Sequence, residues 1–240
     1  MDNVIVTGAS RGLGLAIAER LAADGFRVVA VARRGSEALE AASAKSAGAL
    51  SFAALDLADI EAIHPFVRET RARIGPIYGL VNNAGLGTEG LLANMPDRDI
   101  EALIRLNTLS PILMSKYVVR GMMADGRGRV INISSIIAST GFNALSVYAA
   151  TKASLVGFTR SLAREVGRLG VTVNAIAPGF VDTELTKGLG EAGRERVAAR
   201  SALKRLAEPE DVAAMASFLM GEGARNVTGA VMTVDAGSTA

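Results

Sequence analysis

The chain has 240 residues, half of them apolar, with 26 basic residues against 24 acidic ones and no cysteine. That size allows a substantial core, while the near-cancelling charge and the absence of tryptophan argue against a nucleic-acid binder. Lack of cysteine excludes disulfides and thiolate catalysis and fits a reducing, cytoplasmic setting.

No apolar run approaches the ~18 residues of a membrane span. Met1-Asp2-Asn3 leads directly into a strand, with no room for a basic and apolar leader, so a soluble cytoplasmic protein is expected.

The first strand candidate, residues 4–7, runs into TGASRGLG, residues 7–14, and a helix-period stretch follows at 12–24. Gly8, Gly12 and Gly14 therefore sit in a strand-to-helix turn, with Ser10, Arg11 and Leu13 between them. Their spacing is neither G-x-G-x-x-G nor a P-loop. A helix N-terminus still offers unpaired N–H groups and a positive dipole end to a pyrophosphate, so nucleotide binding is expected.

The second strand, 27–31, ends at Ala32, where a dinucleotide site that reads a free ribose 2′-hydroxyl would carry an acid. Arg33 and Arg34 follow instead, and guanidinium groups match a 2′-phosphate. Arg11 and Arg33 bracketing that phosphate imply NADP(H).

A third strand at 50–55 ends in LDLAD, and a fourth at 77–82 ends in NNAG, which carries polar Asn82 and Asn83 before Ala84 and Gly85. A long helix-period stretch covers 97–123. A fifth strand at 129–134 ends in Ser134 and Ser135. Next comes helical 146–168, in which Tyr148 and Lys152 are four apart and share a face.

An ammonium ~5 Å from a phenol, at an effective dielectric of ~20, is worth roughly 3 kcal/mol and would bring the tyrosine down toward neutral pH. A sixth strand at 171–177 precedes residues 182–208, a lid candidate with some helix. A helix at 209–221 and a last strand at 230–234 end the pattern. Helix-period stretches at 36–47 and 59–74 complete the alternation. Apolar strands alternating with helices predict one domain, 1–240: an α/β, Rossmann-type doubly wound sheet of seven mainly parallel strands with helices on both faces.

Thr7-Gly8-x-x-x-Gly12-x-Gly14, Asn82-Asn83-Ala84-Gly85, a serine thirteen residues before Tyr148, Tyr148-x-x-x-Lys152 and Pro178-Gly179 resemble, in order, the motif set of the short-chain dehydrogenase/reductases. The resemblance implies Tyr148 as proton donor, Ser135 as hydrogen-bond donor to the substrate oxygen, and Lys152 as the group that binds the nicotinamide ribose and lowers the tyrosine pKa. It implies Asn107 as holder of a water relay to the lysine.

For the cofactor it implies Asp56 and Leu57 at the adenine and Asn83, Ala84 and Gly85 at the ribose. Pro178, Gly179, Val181 and Thr183 would lie along the carboxamide segment. It also implies a homotetramer and no metal.

Within the family, YAATKASLVGFTRSLAREVGRLGVTVNAIAPGFVDTELT, LKRLAEPEDVAAMASFLM and VTGAVMTVDAG are most similar to the 3-oxoacyl-[acyl-carrier-protein] reductases. The chain departs from them in GLGTEG after Gly85 and in Leu145. The basic residues that would meet an acidic acyl carrier protein are approximated by Arg127, Arg129 and Arg168. Two alternatives stay open: a family member acting on another secondary alcohol or ketone, and a non-catalytic NADP(H) sensor.

Overall fold

Seven short runs rich in valine, isoleucine and leucine become strands: β1 (Asn3–Thr7), β2 (Arg27–Ala32), β3 (Leu50–Ala54), β4 (Ile77–Asn82), β5 (Gly128–Ile133), β6 (Val171–Pro178) and β7 (Val231–Val234). The computed structural model describes residues 1–181 and 190–240. Every strand pairing is parallel, in the order β3-β2-β1-β4-β5-β6-β7. Residues of β1, β4, β5 and β6 are buried throughout, which is why these strands read as continuous rather than alternating apolar runs.

Helices cover both faces. On one, α1 (Gly12–Ala23), α2 (Glu37–Lys45) and α9 (Pro209–Met220) contribute Ile17, Leu21, Leu39, Val212 and Ala216 to a core that includes Val4, Val6, Val28 and Ile131. On the other, α3 (Ile63–Ile74), α5 (Ser110–Asp125) and α7 (Ser146–Val166) pack Val67, Met114, Val118 and Ala163 against Ile5, Val29, Leu80 and Val130. His64 stacks on Tyr117 with ring centroids 4.5 Å apart, on the outer surface.

Strand order reverses between β1 and β4, and the crevice at such a switch point is where open α/β sheets bind ligands. The glycine loop and the NNAG loop leave the sheet there.

One helix departs from regular geometry. Residues 97–123 are helical as expected but not regular: α4 (Asp97–Ile104) passes through a π-helical turn, Arg105–Leu109, before α5 begins. Pro111, at the start of α5, has no N–H to give the carbonyl four residues earlier, which is Asn107. The ladder widens to five residues at this point, with the Ser110 N–H donating to the Arg105 carbonyl.

Of the lid candidate, residues 190–208 contain α8 (Gly190–Arg200), and an isolated bridge ties Ala207 to Val181. A four-residue helix, α6 (Ile137–Thr140), follows β5. Thr183 and the rest of 182–189 lie outside the described residues.

Candidate active site

The strand ends bring the expected residues together. Ser134 and Ser135 separate in role: Ser134 Oγ donates to the Lys152 carbonyl (2.8 Å), fixing α7 against the end of β5, whereas Ser135 is hydrogen-bonded to Tyr148. Ser135 Oγ also accepts from the Ile137 N–H at 3.2 Å, which orients it at the start of α6.

Lys152 Nζ donates to the Ile133 carbonyl (2.8 Å) and lies 5.8 Å from the centre of the Tyr148 ring. Gly85 closes the group, because a methyl there would sit 3.2 Å from Asn107 Oδ1 and 3.5 Å from Lys152 Nζ. A side chain would displace one of them.

Asn107 is buried, and both ends of its carboxamide are hydrogen-bonded. Oδ1 accepts from the Leu86 N–H (2.8 Å), and Nδ2 donates to the Leu86 carbonyl (2.8 Å) and to Thr151 Oγ1 (3.2 Å). The side chain thus clamps the loop after NNAG onto the π turn and onto α7.

Electrostatics at the tyrosine differ from the sequence expectation. Burial pushes the Tyr148 phenol above its ordinary value, and the hydrogen bond to Ser135 only partly offsets this. Lys152, wholly desolvated, falls from 10.5 to about 8. Desolvation of the ring is the larger effect, so the phenol rises where the four-residue spacing to Lys152 suggested a fall. At neutral pH the pair is a protonated phenol beside a buried cation, which is a proton donor's resting state.

The glycine loop is organised more by internal packing than by spacing. A methyl on Gly14 would lie 2.3 Å from the Gly8 carbonyl oxygen, and one on Gly8 would lie 2.8 Å from Ala84 Cα. Gly12 has φ +54°, the left-handed region, and opens α1. Arg11 precedes it without capping the helix through its side chain, so the first-turn N–H groups, including those of Leu13 and Gly14, face the loop uncapped.

Thr7 is a structural member of the site that its motif position alone does not reveal. Its hydroxyl accepts from the N–H groups of Asn83 (2.9 Å) and Ala84 (3.1 Å) and donates to the Val81 carbonyl (3.2 Å), locking β1 to the end of β4. Asn83 Nδ2 turns back to the carbonyls of Thr7 and Gly8. Asn82 is interior, bonded to Ser115 and Asn132 rather than facing the crevice. A polar residue ending a buried strand was the available signal in each case.

At the margins, Ser10, Arg33 and Arg34 lie on the two loops flanking the first crossover, both arginines exposed. Asp56 is exposed and accepts from the Ala58 N–H at 2.9 Å. Leu57 is a core residue whose carbonyl accepts from Ser110 Oγ.

The Pro178 carbonyl accepts from the Ile136 N–H (3.0 Å), the Gly179 N–H donates to the Val234 carbonyl (2.9 Å), and Val181 is buried. Around the mouth, Leu86, Leu91, Leu92 and Phe142 are exposed. The Gly90 N–H donates to the Ala144 carbonyl (2.9 Å), joining their two loops, and Phe142 meets Phe180 edge-on at 6.0 Å. Arg127 and Arg129 stand instead at the amino end of β5, paired with Asp2 and Glu222 across Tyr78, and Arg168 follows α7 just before β6 begins. On a single chain these arginines are at the opposite end of the strands from Tyr148.

A seven-stranded parallel sheet with a serine, tyrosine and lysine converging beside a glycine loop at its switch point defines an oxidoreductase. The chain belongs to the short-chain dehydrogenase/reductase family. A family model described as enoyl-(acyl carrier protein) reductase matches residues 8–239.

Among individual relatives, the chain is 40% identical over 235 residues to the 3-oxoacyl-[acyl-carrier-protein] reductase FabG of Pseudomonas aeruginosa, covering 97% of this chain and 95% of that one. It is 37% identical to the reductase MabA of Mycobacterium bovis, covering 98% and 92%. A solved gluconate 5-dehydrogenase of Burkholderia cenocepacia, in complex with NADP and tartrate, superposes with TM-score 0.94 at 30% identity, over 99% of this chain and 95% of that one.

The residues present fit a dinucleotide. The uncapped first turn of α1 supplies donors for a pyrophosphate. Gly85 leaves open backbone beside Lys152, Ala32 stands where an acid would repel a phosphate, and exposed Arg33 and Arg34 follow it.

Proposed function

We propose that the protein is an NADPH-dependent reductase that converts a 3-oxoacyl thioester, carried by acyl carrier protein or coenzyme A, to the 3-hydroxyacyl form. When bound, the nicotinamide supplies a hydride to the ketone carbon. The chain's own residues supply the rest. Ser135 Oγ and Tyr148 Oη hold the ketone oxygen, and Tyr148 delivers the proton that completes the alcohol. Lys152, as a buried cation, stabilises the phenolate left behind.

Gly8, Ser10, Arg11, Gly12, Leu13 and Gly14 would cradle the pyrophosphate, while Arg11, Arg33 and Arg34 would take the 2′-phosphate. Asp56 and Leu57 would border the adenine. Asn83, Ala84, Gly85 and Lys152 would line the ribose, and Pro178, Gly179, Val181 and Thr183 the carboxamide.

The observation that carries the choice of substrate is the apolar mouth: Leu86, Leu91, Leu92 and Phe142 are 39%, 56%, 58% and 54% exposed. An acyl chain would cover such a surface, whereas a polyol would leave it wet. The 3-oxoacyl reductases among the relatives support the same choice. The gluconate 5-dehydrogenase likeness supports a second reading, reduction of a hydrophilic ketone. A panel of acetoacetyl-CoA, longer 3-oxoacyl thioesters, a keto-sugar acid and cyclic ketones separates the two: kcat/KM is expected to be highest for thioesters, and turnover of the sugar acid alone would overturn the assignment.

A sensor without chemistry is disfavoured by the intact Asn107, Ser135, Tyr148 and Lys152 set. The whole chain is read as one reductase domain, acting as a cytoplasmic homotetramer, as the family resemblance implies.

A further inference from the structure

The crevice that would receive the 2′-phosphate is bounded by two loops from different parts of the chain. One is the glycine loop with Ser10 and Arg11. The other, between β2 and α2, carries Arg33 and Arg34. All three arginines are exposed, and the spacing between their backbones depends on how firmly the two loops are held together.

One side chain spans the gap. Ser36, two residues beyond Arg34, donates from Oγ to the Ser10 carbonyl, and the same oxygen accepts from the Leu39 N–H at 3.1 Å as the N-cap of α2. The Ala9 N–H to Val31 carbonyl bond, at 3.2 Å, continues the pairing of the same two strand ends, and it lies on the strand side of the arginines.

We propose that Ser36 is the positioning residue for cofactor choice: its bridge fixes the spacing between Arg11 and Arg33 and so sets the preference for a 2′-phosphorylated dinucleotide. This rests on the NADP(H) reading above. Ser36 itself touches no substrate. Its one O–H donor is given to the Ser10 carbonyl, leaving none to offer a phosphate, so it acts through the arginines.

Breaking the bridge leaves the uncapped turn of α1 in place for the pyrophosphate. NADPH therefore loses the fixed cation pair, while NADH, which lacks the 2′-phosphate, loses little. A residue that merely capped α2 would weaken both cofactors alike or neither.

Three variants separate these roles. Ser36→Ala removes both bonds. Ser36→Gly removes the bridge but keeps most of the N-cap energetics. Ser36→Thr keeps donor and acceptor.

Dissociation constants for NADPH and NADH, by titration calorimetry on the full chain without substrate, give the preference ratio for each variant, with melting temperature recorded in parallel. The ratio is expected to fall about five- to tenfold in the alanine and glycine variants, through the NADPH constant, and to stay within twofold of wild type in the threonine variant. An unchanged ratio in the alanine and glycine variants, with wild type preferring NADPH and Arg33→Asp abolishing that preference, overturns the role of Ser36 alone. A wild type without preference for NADPH overturns the cofactor reading beneath it.

Discussion

Lys152 links the chemistry of the site to its stability. A buried ammonium held near pKa 8, against 10.5 in an unfolded chain, carries a folding cost of about 3 kcal/mol. Below pH 8 the lysine is charged in both states and the cost is felt in full. Between about 8 and 10.5 the folded chain has released the proton and the unfolded chain has not, so this group's contribution to stability rises with pH. Lys152→Met should therefore hold a stability advantage over wild type that shrinks by roughly 1–3 kcal/mol between pH 7 and pH 10. Urea unfolding of both proteins at the two pH values measures it, and a pH-independent difference would contradict the assignment.

Reductive kcat/KM should fall as pH rises through 8, because both Lys152 and Tyr148 act in their protonated forms. Tyr148→Phe is expected to lower kcat by ~10²–10⁴, the range of a lost general acid. The Kd for NADPH should stay within about threefold, because the pyrophosphate and 2′-phosphate contacts remain. Stopped-flow turnover and cofactor titration check the two halves separately.

At the scale of elements, the π turn is the device that sets Asn107 in place. Pro111 ends the regular ladder, and the displaced turn lets the Asn107 carboxamide meet both backbone groups of Leu86. Asn107→Ala would leave those two groups unpaired at a part-buried position. It should lower the unfolding free energy by about 2 kcal/mol, and it should lower kcat as the Leu86 loop drifts from Lys152. Denaturant midpoints and steady-state rates give the two numbers, and a variant as stable as wild type would show that the clamp is not structural.

Most of the element pattern was legible, because buried parallel strands are apolar at every position and their ends coincide with glycines. The stretch 97–123 is helical throughout, but its hydrophobic periodicity passes through the π turn without a visible break; Pro111 is the residue that marks it. Side-chain direction was less legible. Asn82 and Asn83 look alike in sequence, yet one is locked inside the sheet and the other folds back on the glycine loop. The direction of the Tyr148 shift could not be read from a four-residue spacing, since desolvation depends on everything that covers the ring.

For the whole molecule, sheet order places four adjacent strand ends, those of β1, β4, β5 and β6, around one crevice, and the chain's chemistry gathers there. The arginines considered for carrier-protein contact stand at the other end of β5, about 20 Å away for a six-residue strand. Any carrier protein that delivers substrate to this site must therefore approach it by way of other residues of the same chain or from a neighbouring subunit. Light scattering coupled to gel filtration is expected to give four times the 24.8 kDa chain mass; a monomer fully active at nanomolar concentration would contradict the tetramer.

The central claim, a ketone reduction at Tyr148 driven by NADPH, is tested most directly by mixing enzyme, NADPH and a 3-oxoacyl thioester and measuring cofactor loss and product together. The account predicts one 3-hydroxyacyl thioester, identified by mass spectrometry, for each NADPH consumed with wild type, and both changes slowed by ~10²–10⁴ with Tyr148→Phe. Product formation undiminished in the phenylalanine variant, or no NADPH consumption by wild type with any thioester, would contradict it.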